Sequence, residues 1–137
     1  MTYLLDTNIC IHLFKGQANL ERKIDAVGIR SCYLSEITIA ELMYGIENSA
    51  PTRRSQNQTN LDWLQTAFAG RILRIGSSFH EYARQKAALK RMGRPVGEFD
   101  LLIGTTAITN GLTLVTRNIR DFENLDRIQL ENWIDAE

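Results

Sequence analysis

Short apolar runs alternate with helix-forming stretches along the whole chain, and this alternation restricts the fold more than any other feature of the sequence. The predicted strands are the apolar runs at residues 3–5, 32–34, 71–75, 112–115 and 128–130. Strands that alternate with helices form βαβ units, and these build a parallel sheet with helices on both faces. The sequence therefore predicts a three-layer α/β/α fold around a mostly parallel sheet of four to five strands.

Residues with strong positional preferences mark the predicted helix ends. Thr38 with Glu41, and Ser78 with Glu81, match the capping-box pattern, in which a hydroxyl residue and an acid three positions later satisfy backbone amides at a helix start. Asp100 is expected to open a further apolar helix. The predicted helices follow residues 6–8 and cover residues 19–27, 38–44, 52–69, 78–92 and 101–110. With 137 residues and no repeat, composition shift or long linker, the chain is expected to form one domain over residues 1–137.

The charge of the chain is balanced overall but uneven along its length. Sixteen basic residues match sixteen acidic ones, yet residues 71–97 carry seven basic groups and one acid, and residues 98–137 carry three basic groups and eight acids. A cationic segment beside an anionic one suits a protein that holds a phosphate backbone next to a cation site. An ordinary solvated helix produces the same pattern, so both interpretations stay open at this point.

The sequence predicts a cytoplasmic protein that does not enter a membrane. The longest stretch without Asp, Glu, Lys or Arg covers residues 101–116, which is too short and too rich in threonine to cross a bilayer. The N-terminus shows no basic region followed by a long apolar run. Cys10 and Cys32 have no metal-binding or redox spacing, and we expect them to be buried, reduced thiols.

Four acidic residues lie at the predicted ends of strands or starts of helices. They are Asp6, Glu41, Asp100 and Asp121. Taken singly, each has an ordinary structural explanation: a helix cap for two of the aspartates, a capping-box partner for the glutamate and a solvated turn for the last aspartate. Together they indicate a binding site, because ligands of open parallel sheets bind at the carboxyl ends of the strands.

Carboxylates that meet at one edge of a sheet repel one another. Two of them about 4 Å apart repel by roughly 4 kcal/mol at an effective dielectric constant near 20. Such a group must protonate, attract basic partners or hold a cation. Oxygen ligands without a nearby His or Cys favour Mg²⁺ or Mn²⁺ over zinc, and such an ion at an acidic edge is typical of a phosphodiester hydrolase.

Four short motifs give the chain a resemblance to a known family. They are LLDTN at residues 4–8, SxxTxxEL at 35–42, GxPVGxxD at 93–100 and VTRNxxDF at 115–122. In this order and spacing the set resembles the PIN-domain nucleases, specifically the VapC-type toxins of bacterial toxin–antitoxin pairs. The resemblance implies a PIN-like fold and a Mg²⁺- or Mn²⁺-dependent endoribonuclease. It carries Asp6, Glu41 and Asp100 over as the acidic site.

The resemblance also suggests a role for each site residue. Asp6 and Asp100 would hold the principal metal ion, and Glu41 would act through a water molecule. Many PIN domains have an aspartate where this chain has Asn118, and Asp121 is expected to supply the missing charge.

Further residues are expected to support the acids or to bind the substrate. The supporting residues are Thr7, Asn8, Thr116 and Asn118. Lys86, Lys90 and Arg94 recur every fourth residue and are predicted to form one basic helix stripe that binds RNA. Single-stranded or looped RNA is the favoured target, since bases that are not paired can be read directly.

The resemblance further implies partners and a class of substrate. A small antitoxin is expected to cover the acidic groove with its C-terminal segment, and a homodimer within a larger toxin–antitoxin assembly is expected. The helix at residues 39–46 with Leu61, Trp63, Leu64 and Phe68 offers a surface for these partners, although Leu64 and Phe68 are expected to be core residues. The implied RNA targets are tRNA anticodon regions, initiator tRNA among them, or ribosomal RNA loops.

Other classes of protein share part of the pattern. A phosphatase of the haloacid-dehalogenase type would have a second acid two residues after Asp6, where Asn8 stands. A receiver-type phosphate-acceptor domain would have a lysine after a late strand, where Arg117 stands. A non-catalytic interaction module is disfavoured because the three main acids are present, and a structure-specific DNase of related fold stays an alternative.

Overall fold

A parallel sheet organises the computed structural model, which describes residues 1–135; the last two residues of the predicted domain, 136–137, lie outside the described residues. The five strands of this part of the chain are β1 (Tyr3–Leu5), β2 (Cys32–Ser35), β3 (Ile72–Leu73), β4 (Thr113–Val115) and β5 (Leu130–Glu131). They pair in the order β3-β2-β1-β4-β5, and every pairing is parallel. The predicted α/β fold with a sheet of four to five strands is confirmed.

Helices cover both faces of this sheet. Those of the described residues are α1 (Thr7–Phe14), α2 (Leu20–Val27), α3 (Glu36–Glu47), α4 (Pro51–Ala67), α5 (Phe79–Arg91), α6 (Glu98–Thr109) and α7 (Ile119–Phe122). Within residues 1–135, no helix has both the length and the apolar character needed to cross a bilayer.

The strands feed two separate hydrophobic cores, because successive side chains of a strand point to opposite faces of the sheet. Leu5 and Val115 pack on one face against α1, α2 and α4. Leu4 and Leu114 pack on the other face against α5, α6 and α7. The two cores make the domain three layers thick. Cys10 and Cys32 are buried free thiols in the first core.

Both predicted capping boxes are wrong, because tertiary partners replace the local ones. The hydroxyl of Ser78 donates a hydrogen bond to Thr106 on α6 instead of capping its own helix. Glu81 pairs with Arg84 and Arg127. The cap of the helix predicted from residue 38 lies three residues earlier, at Ser35.

Two acids therefore sit deeper in their helices than predicted. Ser35 caps α3 by accepting a hydrogen bond from the Ile37 amide at 3.0 Å, so that Glu41 lies in the second turn and not the first. Asp100 is the third residue of α6 and does not cap it; the cap position is Gly97. The third strand covers two residues of the five that were predicted.

Arg71 joins three segments beside the edge strand β3. Its guanidinium donates hydrogen bonds to the carbonyl oxygens of Ile29, Cys32 and Ala67 at 2.6 to 2.8 Å. It also lies over the ring of Phe68, 5.1 Å from the centroid. Charged donors to backbone carbonyls are stronger than neutral ones, so this side chain fixes the end of α4 to the start of β2.

Replacing Arg71 with methionine is expected to lower the free energy of unfolding by about 3 kcal/mol, since three partly buried carbonyls lose a charged donor. The measurement is urea denaturation followed by circular dichroism. Arg74→Met is the matched control, because Arg74 is exposed and close in sequence; its effect is expected to stay within about 0.5 kcal/mol. Equal losses in the two variants would contradict the role given to Arg71.

Candidate active site

The site lies where the strand order reverses. Chain order runs outward from β1 to β2 and β3 on one side, then returns to β4 and β5 on the other. Ligands of open α/β sheets bind in the crevice at such a point. Asp6 directly follows β1 and Thr116 directly follows β4, and the pairing of Leu5 with Val115 brings them side by side. The sheet itself therefore positions the first acid.

Asp6 is held in one orientation by two hydrogen bonds. Only 4% of the residue is exposed. The amide of Thr7 donates to Oδ1 at 2.8 Å, and the hydroxyl of Thr116 donates to Oδ2 at 2.8 Å. Thr116 in turn accepts a hydrogen bond from the Asn118 amide at 3.0 Å. One oxygen of the carboxylate is thus fixed by the first residue of α1, and the other by the residue that follows β4.

Thr7 links Asp6 to Glu41. Its hydroxyl donates to Glu41 Oε1 at 2.6 Å and lies 2.9 Å from the hydroxyl of Thr38. A carboxylate only accepts hydrogen bonds and a hydroxyl has one proton, so Thr38 must donate to Thr7 while Thr7 donates to Glu41. This chain of hydroxyls aims the second-turn glutamate of α3 toward the end of β1.

The acids act on one another electrostatically. Burial is the largest cause that raises the pKa of Asp6; the hydrogen bonds from Thr116 and Thr7 lower it in part, and the charges of Glu41 and Asp121 raise it further. Burial also raises the pKa of Asp100 to about 6, with smaller contributions from Asp6, Asp121 and Glu41. All four predicted acids therefore belong to one electrostatic group, and the exposed Asp121 is part of it.

The donor set of this group fits a hard divalent cation. Within residues 1–135, no group of three or more Asp, Glu, His or Cys side chains is arranged so that it could hold a metal ion. Mg²⁺ does not require such a group, because it keeps several waters and takes one or two protein carboxylates together with substrate oxygens. The donors here are carboxylate oxygens whose mutual repulsion a cation would relieve. The PIN-domain nucleases, which the chain resembles, generally depend on a divalent metal.

The predicted supporting residues contact this group in different ways. Thr7 and Thr116 hold acids directly through their hydrogen bonds. Asn8 accepts a hydrogen bond from the Arg117 amide at 3.4 Å. Asn118 contributes its backbone amide to Thr116, and its side chain lines a cleft beside Asp121.

The three predicted RNA-binding cations do not form one helix stripe. Lys86 pairs with Glu98 at 2.8 Å across to the start of α6. Lys90 lines a small pocket with Lys86. Arg94 lies beyond the end of α5 and donates to Asn124 at 3.3 Å. The helical arrangement is wrong for Arg94 because the helix ends at Arg91, while the role of the three residues in RNA binding stays a prediction.

Sequence reasoning missed three residues next to the acids. Thr38 was interpreted as a helix cap, although it is fully buried and donates to Thr7. Arg117 and Arg120 line the cleft that contains Asp121. Arg117 is part of the VTRNxxDF motif, whereas Arg120 occupies one of its unspecified positions, so that only the first of the two arginines had a signal in the motif.

Comparison with known proteins identifies the family. The model of the PIN domain family matches residues 3–128. The chain belongs to the PIN-domain family.

Its relatives within this family carry related names. It is 36% identical to the ribonuclease VapC2 of Rickettsia felis, with 97% of this chain and 98% of that protein covered. It is 35% identical to the tRNA(fMet)-specific endonuclease VapC of Shigella flexneri, with the same coverage. Among solved structures, DNA-bound VapBC from Salmonella typhimurium is similar, with a TM-score of 0.87, 29% identity and coverage of 97% of this chain and 98% of that one.

Removing the charge of Asp100 is expected to stabilise the metal-free protein at pH 7.5. A folded-state pKa of about 6, above the ordinary 3.8, means that the native state binds the proton more tightly, so stability falls as pH rises from about 4 to about 6. In EDTA, Asp100→Asn should gain on the order of 1 kcal/mol at pH 7.5 and much less at pH 4.5. Urea denaturation at both pH values measures the difference.

Asp25→Asn is the control for this prediction, because Asp25 is exposed on α2. It should change the unfolding free energy little at either pH. A loss of stability in Asp100→Asn, or an equal gain at both pH values, would show that the charge of Asp100 is not disfavoured by its burial and by the other acids.

Proposed function

We propose that this chain is a Mg²⁺- or Mn²⁺-dependent endoribonuclease toxin that is neutralised by a cognate antitoxin, acts in the cytoplasm and uses residues 1–137 as one PIN domain. The observation that carries the proposal is the group of four carboxylates beside the ends of β1 and β4, in which Thr7 joins Asp6 to Glu41 and burial, with smaller contributions from the other three acids, raises the pKa of Asp100. Family membership adds the reaction class, since the relatives are named as ribonucleases.

Each acid has a separate task in this proposal. Asp6 and Asp100 would hold the metal ion, which when bound lowers the pKa of a water molecule and neutralises charge that builds on the phosphate. Thr7 and Thr116 keep both oxygens of Asp6 in place. Glu41 accepts a hydrogen bond from the Thr7 hydroxyl through Oε1, which leaves Oε2 to orient the attacking water.

Asp121 takes the fourth acidic position, and Asn118 does not. Asp121 bears a charge that raises the pKa of both Asp6 and Asp100. Asn118 brings no charge, and its hydrogen bond to Thr116 comes from its backbone amide. Asn8 supports the site from α1 by accepting the Arg117 amide.

The proposed substrate is a tRNA, with initiator tRNA and its anticodon region as the first candidate. Two relatives, from Shigella flexneri at 35% identity and Salmonella typhimurium at 34%, are named tRNA(fMet)-specific endonucleases. The Rickettsia felis relative, at 36%, is named only as a ribonuclease. An anticodon loop presents unpaired bases and an accessible backbone, which suits an open acidic crevice.

Purified protein is expected to cleave initiator tRNA with Mg²⁺ or Mn²⁺ and to lose activity in EDTA. Asp6→Asn and Asp100→Asn should each lower the rate at least about 100-fold, because changes even outside the ligand sphere cost metal sites 10- to 100-fold. Asp121→Asn should lower it about 10-fold. Denaturing gels of labelled tRNA measure the rates, and Asp25→Asn serves as the control.

Three results would overturn the proposal. Wild-type rates in Asp100→Asn would remove the metal assignment. Cleavage that persists in EDTA would remove metal dependence. Cleavage of single-stranded DNA in preference to every RNA offered would replace the ribonuclease by a DNase.

A cleft beside Glu41 is the proposed binding site for the antitoxin. It encloses about 620 Å³ between α1, α3 and α4, and it is lined by Ile11, Phe14 and Leu42 as well as by Glu41. An apolar segment seated there would reach the acids, where a basic side chain would neutralise them. The antitoxin assignment is supported by the solved structure of the VapBC2 complex of Rickettsia felis, which has a TM-score of 0.84 and 32% identity, with 97% of this chain and 99% of that one covered.

The predicted partner surface on α3 and α4 divides into exposed and buried residues. Leu61, Leu64 and Phe68 are core residues with at most 1% exposure, as expected for the latter two. Tyr44 and Trp63 are 69% and 50% exposed. These two remain available for the proposed homodimer and larger toxin–antitoxin assembly.

Ile11→Gln is expected to weaken antitoxin binding about 10-fold while the chain still cleaves RNA, since it places an amide in the apolar wall of the cleft. Ile11 is 39% exposed, so the substitution leaves the core intact. Calorimetry with the cognate antitoxin measures the change. Met92→Gln, at an apolar residue exposed elsewhere, is the control; equal effects in both variants would place the antitoxin on another surface.

A further inference from the structure

Two shallow clefts meet at Asp121. One encloses about 180 Å³ and is lined by Gly97 and Asp100. The other encloses about 440 Å³ and is lined by Arg117. Arg120 and Asp121 line both clefts, so the clefts adjoin at these two residues; together they are called the trough, which has Asp100 and Asp121 in its lining.

Arg120 is the cation of this trough that has no side-chain partner within residues 1–135. Arg117 pairs with Asp135 at 3.5 Å. Arg94, near one end, donates to Asn124. The exposed guanidinium of Arg120 makes no ion pair or hydrogen bond to the described residues. Adjacent residues of a helix do not face each other, which explains why Asp121 does not neutralise it.

Arg120, which makes no ion pair with the described residues and lies beside carboxylates that repel one another, suits a negatively charged ligand. A guanidinium presents paired donors that match the oxygens of a phosphate. The carboxylates repel any additional anion at the metal position. The negative charge that Arg120 binds therefore belongs to a group next to the reacting phosphate. In a polynucleotide that group is the neighbouring phosphodiester.

We propose that Arg120 binds a phosphate of the RNA strand adjacent to the phosphate that is cleaved, and that the trough between Gly97 and Arg117 is the path of that strand. This rests on the ribonuclease function proposed above. Arg120 is thereby a substrate-binding residue and takes no part in bond breaking. Lys86, which the sequence suggested for this task, is instead paired with Glu98.

The first test measures RNA binding as a function of salt in the Asp100→Asn background, which is expected not to cleave. The probe is a fluorescein-labelled anticodon stem-loop of initiator tRNA, titrated between about 50 and 200 mM salt. Adding Arg120→Gln should lower the slope of log K against log salt by about 0.7, the value for one phosphate contact to a single strand. Arg120→Lys should keep the slope, since a lysine retains the charge. Arg22→Gln, at an exposed arginine on α2, should have no effect.

The second test separates binding from chemistry in the otherwise unaltered enzyme. Arg120→Gln should raise KM about 10-fold and leave kcat within about twofold, because the lost contact is the same in the ground and transition states. A fall in kcat with unchanged KM would instead place Arg120 at the reacting phosphate. An unchanged salt slope overturns the inference, as does a variant that loses only antitoxin binding, which would assign Arg120 to a carboxylate of that protein.

Failure of the ribonuclease proposal gives a different result. In that case the wild-type protein cleaves no RNA with Mg²⁺ or Mn²⁺, and the role of Arg120 falls with it. If the wild-type protein cleaves and Arg120→Gln matches it in KM, kcat and salt slope, only the assignment of Arg120 is wrong.

Discussion

The burial of one carboxylate at the junction of two parallel strands is the constraint on which the rest of the site depends. Asp6 is placed there by the β1–β4 register, and water reaches almost none of it. Its two hydrogen bonds, from Thr7 and Thr116, offset only part of the cost of burial, because its pKa remains raised. The two hydrophobic cores that sandwich the sheet must therefore stabilise a domain that carries this strain at its centre, as is usual for an active site.

Much of the fold followed from the sequence because the controlling patterns are local. Short apolar runs between helical stretches fix a parallel sheet, and a residue directly after a strand must lie at the sheet edge, which identified Asp6 and Thr116. The first residues of the helices were harder to predict. Ser78 and Glu81 fit a capping box, yet Thr106 and Arg127 offered them better partners from distant parts of the chain. A local pattern cannot report such competition.

The acids of the candidate site are visible in the sequence, whereas most of their surroundings are not. A carboxylate at a strand end is visible in the sequence, whereas the link from Thr38 through Thr7 to Glu41 depends on how α3 packs on α1. The cations show the same limit. Spacing alone suggested that Lys86 and Arg94 share a helix face, but whether a cation is available depends on its ion pairs, and these form between α5 and α6.

The outermost strands of the sheet, β3 and β5, are two residues long. An open sheet presents unpaired amides and carbonyls at each border, and a long border can recruit a strand from another molecule and begin aggregation. Here each border is too short for that recruitment, and Arg71 anchors the chain just before β3 to α4 and β2. At high concentration the sheets of separate molecules are therefore not expected to pair edge to edge. Association between copies then depends on the helices that cover the sheet.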